Sequence, residues 1–312
     1  MDDSPNKDVA AIGIDWGTSS FRAMLLSRTG QAIETQRAAA GILTIENRDF
    51  EGALRTHIGD WLAEFPKAPV VLSGMIGSRQ GWVEAPYLDC PADLRGIARA
   101  MTDIRLADRR WVSIAPGLTC RDADGVPDVM RGEEVQILGA VELLGIADST
   151  FCLPGTHSKW VKVENRRVTG FATHMTGEVY DVVRRHTILS RTISADEADD
   201  SWDDAAFVDG VTRSGQTGGL LHHLFGVRAS GLFGELAPQG SGAFLSGLLI
   251  GHEIREAMPG GVVGAVHLIG EPRLVNLYIA ALGHLGHKAT AAPTEATAAG
   301  LFQLVSMGKS RA

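Results

Sequence analysis

The residues best suited to chemistry lie near the start of the chain, in Ile14-Asp15-Trp16-Gly17-Thr18-Ser19-Ser20-Phe21-Arg22. An apolar strand ends in an acid. A glycine and three hydroxyls follow, and then Phe21, Ala23 and Leu25 alternate with Arg22, Met24 and Leu26. This pattern predicts a β-hairpin with a small, donor-rich tip. Gly17 lets the backbone approach a ligand closely. Successive N–H groups and the hydroxyls of Thr18 and Ser19 can cradle phosphate oxygens. Asp15, at the strand end, is placed to organise a Mg²⁺ that bridges those phosphates, directly or through water. On its own the stretch also fits an ordinary tight hairpin. It recurs, however, in Phe151-Cys152-Leu153-Pro154-Gly155-Thr156-His157-Ser158-Lys159-Trp160, with Leu153 where the first copy has Asp15. Gly155, Thr156 and His157 form the second tip. Two related hairpins, one keeping the acid, predict a duplicated domain that clasps one polyphosphate.

Three further stretches carry polar residues at the mouths of elements. The apolar run Pro69-Val70-Val71-Leu72 leads through Gly74 and Gly77 to Ser78, Arg79, Gln80 and Trp82. Ligands gather outside strand ends in α/β folds, so these residues are substrate candidates. Arg131-Gly132-Glu133-Glu134 opens a helix whose stripe is Val135, Leu138, Val141 and Leu144. Acids in a first turn are favoured by the helix dipole alone, so chemistry there needs support from context. Thr176-Gly177-Glu178 opens another helix, with Thr176 as its expected cap.

The elements that must position these groups can be read in order. A third strand runs from Gln31 to Arg37, and an amphipathic helix from Phe50 to Phe65 stops at Pro66. Leu94–Met101 is a short helix, Arg110–Gly117 a strand, and Asp122–Gly125 a turn. The second half should start near Asp148 and Ser149. It continues with a strand to Thr173, an acidic connection from Ser194 to Asp204, and helices over Ser214–Phe225 and Ala243–Ile254. A buried strand from Val262 then ends at Gly270-Glu271, ahead of a helix from Leu274 to Leu285. A small-residue helix, Pro293–Leu301, comes last.

Whole-chain properties narrow the choice. A length of 312 residues favours two domains. Hydrophobic residues make up 45% and charged residues 21%, enough apolar material for real cores. A net charge of −8 argues against a nucleic-acid partner. No apolar run is long enough to span a bilayer, and the polar, acidic first residues are no signal peptide. Cys90, Cys120 and Cys152 form no Cys-x-x-Cys pair, which fits reduced thiols in a cytoplasmic protein. Gly308-Lys309-Ser310 fails as a P-loop, because Gln303 stands where its first glycine is required. No Gly-x-Ser-x-Gly elbow is present, and His222, His223 and His252 lack partners at zinc spacing.

The paired hairpins resemble those of the actin-like, sugar-kinase and heat-shock ATPase superfamily. The resemblance implies a two-domain α/β fold, roughly 1–147 and 148–312, with ATP and Mg²⁺ in the cleft between duplicated domains. Gly270 resembles the superfamily's adenosine motif, and the last helix its second connecting helix. Glycerol-kinase-like members carry Gln-Arg-Glu after a strand to grip substrate hydroxyls, and Ser78-Arg79-Gln80 looks like the counterpart. Keeping Arg while losing the acid suits a carboxylate-bearing substrate, held by Arg79 with help from Arg22 or Arg131. The same enzymes carry Gly-Asp-Gln, whose Asp is the general base, and Gly132-Glu133-Glu134 stands in that place. The resemblance makes Glu133 the base, with Glu134 the alternative. As a set, these motifs resemble the 2-dehydro-3-deoxygalactonokinase family over nearly the whole chain. The implied reaction is ATP-dependent phosphorylation of the terminal 6-hydroxyl of 2-dehydro-3-deoxy-D-galactonate. Alternatives are a kinase for another sugar or sugar acid, or a nucleotide-dependent hydrolase or binding protein. A homodimer is left open by the sequence.

Overall fold

A computed structural model describes residues 8–193, 202–261 and 264–308. The chain divides into two compact units. The first comprises residues 1–148, 162–171 and 292–312, and the second 149–161 and 172–291.

The first unit begins with a three-strand meander, β1 (Val9–Trp16), β2 (Phe21–Ser27) and β3 (Ala32–Ala38). Helix α1 (Phe50–Glu64) and strand β4 (Val70–Ser73) follow. Then come β5 (Tyr87–Asp89), α2 (Leu94–Arg99), β6 (Thr102–Arg105) and β7 (Trp111–Ile114). The β8 (Gly117–Arg121) and β9 (Pro127–Met130) hairpin leads into α3 (Glu133–Leu144). The main sheet has the order β3-β2-β1-β4-β7-β6, and β5-β8-β9 form a small second sheet. β1, β4 and β7 are parallel, so their carboxyl ends open on one side.

The inner strands β1, β2 and β4 are covered on both faces, which explains their near-continuous apolar runs, whereas the edge strands β3 and β6 are polar and more exposed. Ile12, Ile14, Trp16, Phe21, Ala23 and Leu25 pack with Leu54, Ile58 and Trp61 of α1 in one core. Gly13 lies on the other face, where a built Cβ would stand 3.0 Å from Leu301. Asp49 caps α1 by accepting the Gly52 N–H, as its side chain and position dictate.

The second sheet runs β12-β11-β10-β13-β14. Its strands are β10 (Ser149–Leu153), β11 (Ser158–Glu164), β12 (Arg167–His174), β13 (Ala265–Leu268) and β14 (Lys288–Ala291). The order repeats that of β3-β2-β1-β4-β7, the topological trace of the duplication. The helices are α4 (Thr176–His186), α5 (Asp204–Arg213), α6 (Gly219–Leu232), α7 (Pro238–Ala257), α8 (Pro272–His284) and α9 (Ala296–Met307). Gly210 and Gly247 let α5 and α7 touch backbone to backbone, since a Cβ on either would stand 2.0–2.1 Å from a carbonyl oxygen.

Several boundaries differ from the sequence reading. The division is no single cut after residue 147, because α9 belongs with the first unit. Its Gly300 and the α3 residue Gly139 interlock, and a Cβ on Gly139 would stand 1.9 Å from the Ala296 carbonyl. Residues 162–171 also belong there, tied by Asn165 and Arg166 to Asp148, Ala147 and Glu142. Thr176 is the first helical residue of α4 rather than its cap, and Met175 takes the cap position without a side-chain bond. The helix expected at Ser214–Phe225 starts only at Gly219, because Gly218 and Gly219 have φ of 127° and 74°. The helix expected from Ala243 starts earlier, at Pro238, whose fixed φ suits a first turn. The acidic connection from Ser194 lies outside the described residues up to position 201, as do Val262 and Val263. His223 and His252 contact one another at 3.0 Å, but among the described residues no group of three metal-ligating side chains forms.

The α3–α9 contact yields a direct test. Gly139→Ala should destabilise the protein by about 1–3 kcal/mol through overpacking. Gly59→Ala in α1, where nothing lies within 4 Å of a built Cβ, should be neutral or stabilising by about 0.4–1 kcal/mol. Urea denaturation of the two variants measures both, and equal effects would show that the glycine contact does not carry the packing.

Candidate active site

In the first unit three backbone segments converge at the carboxyl ends of β1 and β4. β1 and β4 pair with Asp15 opposite Ser73, so the chain leaves both strands at the same level. Gly74 follows with φ 92°, and a Cβ there would stand 2.8 Å from the Trp16 carbonyl and 3.3 Å from Asp15 Oδ1. Gly132 has φ 106°, and its Cβ would stand 3.0 Å from Gly74 Cα. Both positions demand glycine twice over, for conformation and for room. Asp15 and the start of α3 are thereby held close to one another.

Asp15 is half-buried and pairs with Arg22, whose Nη2 donates to Oδ2 at 2.8 Å and also to Thr297 Oγ1 at 2.8 Å. Burial pushes the Asp15 carboxyl above its ordinary range, and the Arg22 charge opposes that shift. Arg22 is therefore engaged at the acid rather than available for a sugar acid. At the tip, the Gly17 N–H donates to the Ser20 carbonyl, and the N–H groups of Ile42 and Leu43 donate to Gly17 and Thr18. Thr18, Ser19 and Ser20 remain exposed. Mg²⁺ takes one or two protein carboxylates and completes its shell with phosphates and water. A single acid beside an exposed donor tip fits a Mg²⁺ carried in with a nucleotide, and does not fit an all-protein cage.

Helix α3 begins without a side-chain cap on Gly132. Its two acids reach backwards instead. Glu133 Oε2 accepts the Arg131 N–H at 2.9 Å, and Glu134 Oε2 accepts the Gly132 N–H at 2.7 Å. Their surroundings differ. Glu133 is half-exposed, whereas Glu134 is fully buried, with Oε1 lacking a partner among the described residues. Burial, aided by the Glu133 charge, pushes the Glu134 carboxyl up to about 8.

The loop after β4 separates the sequence candidates. Ser78 points its Oγ inward, where it finds no partner among the described residues. The Arg79 side chain is 87% exposed and meets Glu84 at a long 3.4 Å. Gln80 is exposed, and Trp82 is half-buried against Phe50. Arg48 fastens the loop by donating to the Gln80 and Gly81 carbonyls, a role that nothing in its sequence context signals. A separate cavity of about 950 Å³ lies at the opposite, amino ends of β4 and β7, away from Asp15 and Glu133.

In the second unit, α4 starts directly on the second hairpin. A Cβ on Gly177 would stand 2.4 Å from the Gly155 carbonyl, and the Glu178 N–H donates to Thr156. His157 Nε2 and Glu178 Oε2 lie 2.5 Å apart. Gly270 packs over Pro154, with its Cβ position 3.3 Å from that carbonyl, and Glu271 caps α8. Below the hairpin lies a buried polar chain. Ser158 Oγ meets the Tyr278 hydroxyl at 3.0 Å, and that hydroxyl and the Trp160 N–H both donate to Glu253 at 2.7 Å. Burial and the Glu253 charge hold the Tyr278 hydroxyl protonated, well above its ordinary range. A cavity of about 270 Å³ adjoins the hairpin, lined in part by Gly155, Gly177, Trp202, Glu271, Arg273 and Tyr278. The Arg273 guanidinium lies 5.2 Å from the Trp202 ring centre. Gly155, Gly177 and Gly270 thus meet as a group in the second unit, as Asp15, Gly74 and Gly132 do in the first.

The Glu134 carboxyl makes stability depend on pH. Its folded-state affinity for a proton exceeds that of the unfolded chain, so it favours folding below the ordinary glutamate range. That contribution is lost as pH rises from about 4.5 to about 8. The melting temperature of wild type should therefore fall, relative to Glu134→Gln, across that interval. A constant difference between the two melting curves would contradict a buried, neutral Glu134.

Comparison with known proteins identifies the family. The family model for 2-keto-3-deoxy-galactonokinase matches residues 15–304. A relative from Rhizobium meliloti (strain 1021), named as a probable 2-dehydro-3-deoxygalactonokinase, is 44% identical over 92% of this chain and 94% of its own. The 2-dehydro-3-deoxygalactonokinase of Escherichia coli (strain K12) is 38% identical over 78% of each chain. A crystal structure of a candidate 2-dehydro-3-deoxygalactonokinase from Sinorhizobium meliloti superposes with a TM-score of 0.84 at 41% identity, covering 95% of this chain and 98% of that one. The fold alone is also shared with component A of an (R)-2-hydroxyglutaryl-CoA dehydratase from Acidaminococcus fermentans, at 13% identity and a TM-score of 0.50 over 95% of this chain and 98% of that one. The chain belongs to the 2-keto-3-deoxy-galactonokinase family.

Proposed function

We propose that the protein is an ATP-dependent kinase that phosphorylates the terminal 6-hydroxyl of 2-dehydro-3-deoxy-D-galactonate in galactonate catabolism. The observation that carries this reading is the convergence of Asp15, Gly74 and the Gly132-Glu133 turn, supported by relatives named for that reaction. Phosphoryl transfer asks a protein mainly for positioning and charge neutralisation. The tips Gly17-Thr18-Ser19 and Gly155-Thr156-His157 supply donors for phosphate oxygens. Mg²⁺, when it arrives with ATP, neutralises charge on the phosphates, and Asp15 is the residue that would hold it. Glu133, half-exposed at the start of α3, accepts the proton of the attacking hydroxyl. The cavity beside Gly155 and Gly270 takes the adenosine, with Trp202 and Arg273 in its wall. Arg79, Gln80, Ser78 and Trp82 serve the substrate side. ATP supply and three free thiols fit a cytoplasmic enzyme.

A coupled ADP-release assay with Mg²⁺ and a panel of sugars, sugar acids and keto-deoxy sugar acids tests the reaction. ADP release should depend on a keto-deoxy sugar acid, whereas ADP release independent of any acceptor would favour a hydrolase. Within that assay, Glu133→Gln should lower kcat by about 10²–10⁴-fold with little change in substrate binding. Glu134→Gln should retain most of kcat near neutral pH, because that carboxyl is already largely protonated there. A crippled Glu134→Gln beside a near-normal Glu133→Gln would reverse the assignment.

A further inference from the structure

The first unit contains a buried cation whose guanidinium is only partly hydrogen-bonded among the described residues. Arg131 is 7% exposed. Its guanidinium lies 4.2 Å from the Tyr87 ring centre, and its Nη2 donates to the Ala85 carbonyl at 2.8 Å. Its Nε and Nη1 are shielded from solvent and have no acceptor among the described residues. A Cβ built on Gly77 would stand 3.1 Å from Nη1, and the next residue, Ser78, holds the unpartnered inward hydroxyl. Glu134 does not close the gap, since its Oε1 is also without a partner among the described residues. Burial pushes its carboxyl up to about 8 against the opposing pull of the Arg131 charge, so it carries little negative charge near pH 7.

A guanidinium stays charged at any working pH. Leaving its donors buried and unpaired costs free energy, and more than for a neutral group. Such a side chain is explained by a ligand that brings both negative charge and acceptor atoms. The other arginines around the site are differently occupied. Arg22 is held by Asp15 and Thr297, Arg48 by two loop carbonyls, and Arg79 extends into solvent.

Resting on the kinase reading above, we infer that Arg131, with the Ser78 hydroxyl, receives the carboxylate of the sugar acid and selects acids over neutral sugars. Arg79 then serves substrate hydroxyls and does not discriminate by charge. The guanidinium reaches Ala85 and Tyr87, whereas the Glu133 carboxylate folds back to the Arg131 backbone. The two ends of a keto-deoxy acid thus meet two different groups: the carboxylate meets Arg131, and the hydroxyl to be phosphorylated meets Glu133.

The test compares kcat/KM for the keto-deoxy sugar acid and for its neutral carboxamide. Wild type should prefer the acid by roughly ten- to a hundredfold, the range expected for a charge-assisted bond. Arg79→Ala should keep that preference while raising both KM values. Arg131→Gln should bring the preference close to one with KM for ATP unchanged, and Arg131→Lys should keep part of it. A wild type indifferent to the carboxylate, an Arg79→Ala that loses the preference, or an Arg131→Gln that retains it would each overturn the inference. If Arg131→Gln melts below the assay temperature, Ser78→Ala carries the test. It should narrow the preference several-fold, and an unchanged preference would count against the inference. Absence of ADP release with every sugar acid would defeat the kinase reading and this inference together, whereas kinase activity with no preference for the acid defeats the inference alone.

Discussion

The contact between Gly74 and Gly132 is the constraint on which the chemistry proposed for the first unit depends. Each glycine occupies a backbone conformation that side chains rarely adopt, and each stands where a Cβ would meet another backbone. Through them the ends of β1 and β4 and the start of α3 come within van der Waals reach. The parallel register of β1 and β4 delivers Asp15 and Gly74 to the same level. The turn at Gly132 then presents Glu133 beside them. Effective phosphoryl transfer rests on such positioning, because a misplacement of about 1 Å can cost on the order of 10²-fold in rate.

The rest of the unit keeps those three segments from drifting. The sheet is packed by α1 on one face, and Leu301 of α9 meets Gly13 on the other. α9 in turn interlocks with α3 at Gly139 and Gly300, so the helix that carries Glu133 is seated on the one that braces the sheet. Thr297 of α9 also holds Arg22, which holds Asp15. The second unit solves its own positioning problem by different means. Its hairpin keeps no acid, and is fixed by the backbone of Gly177 and Gly270 above and by the Ser158–Tyr278–Glu253–Trp160 chain below. A buried, fully engaged polar chain is a rigid foundation, because each member would be costly to leave unpaired.

Much of this was legible in the residues. The two hairpins, the strand before Ser78 and the helix after Gly132 follow from hydrophobic period and glycine punctuation, which are local signals. The assignment of α9 was not legible, because the pairing of Gly139 with Gly300 joins positions far apart in sequence. The start of α6 was misplaced because Gly218 and Gly219 look tolerable in a helical pattern, and their positive φ appears only in three dimensions. Among the polar candidates, sequence order singled out Arg79 by analogy with a strand-end motif. Burial distinguishes it from Arg131, and burial of a charged residue next to a helix start has no sequence signature. Arg48 escaped for the same reason, since its partners are main-chain carbonyls. Glu133 and Glu134 are equivalent in composition, and only their exposure separates them.

The central claim is that close backbone approach at Gly132 places the acids for phosphoryl transfer. The most direct measurement is kcat for Gly132→Ala with ATP, Mg²⁺ and the keto-deoxy sugar acid, on protein shown by its melting curve to be folded. One methyl group at φ 106°, 3.0 Å from Gly74 Cα, must push the start of α3 away from Asp15. The account predicts a fall in kcat of roughly 100-fold with KM for ATP little changed. A folded Gly132→Ala with kcat within about twofold of wild type, a difference of under 1 kcal/mol in barrier, would contradict it.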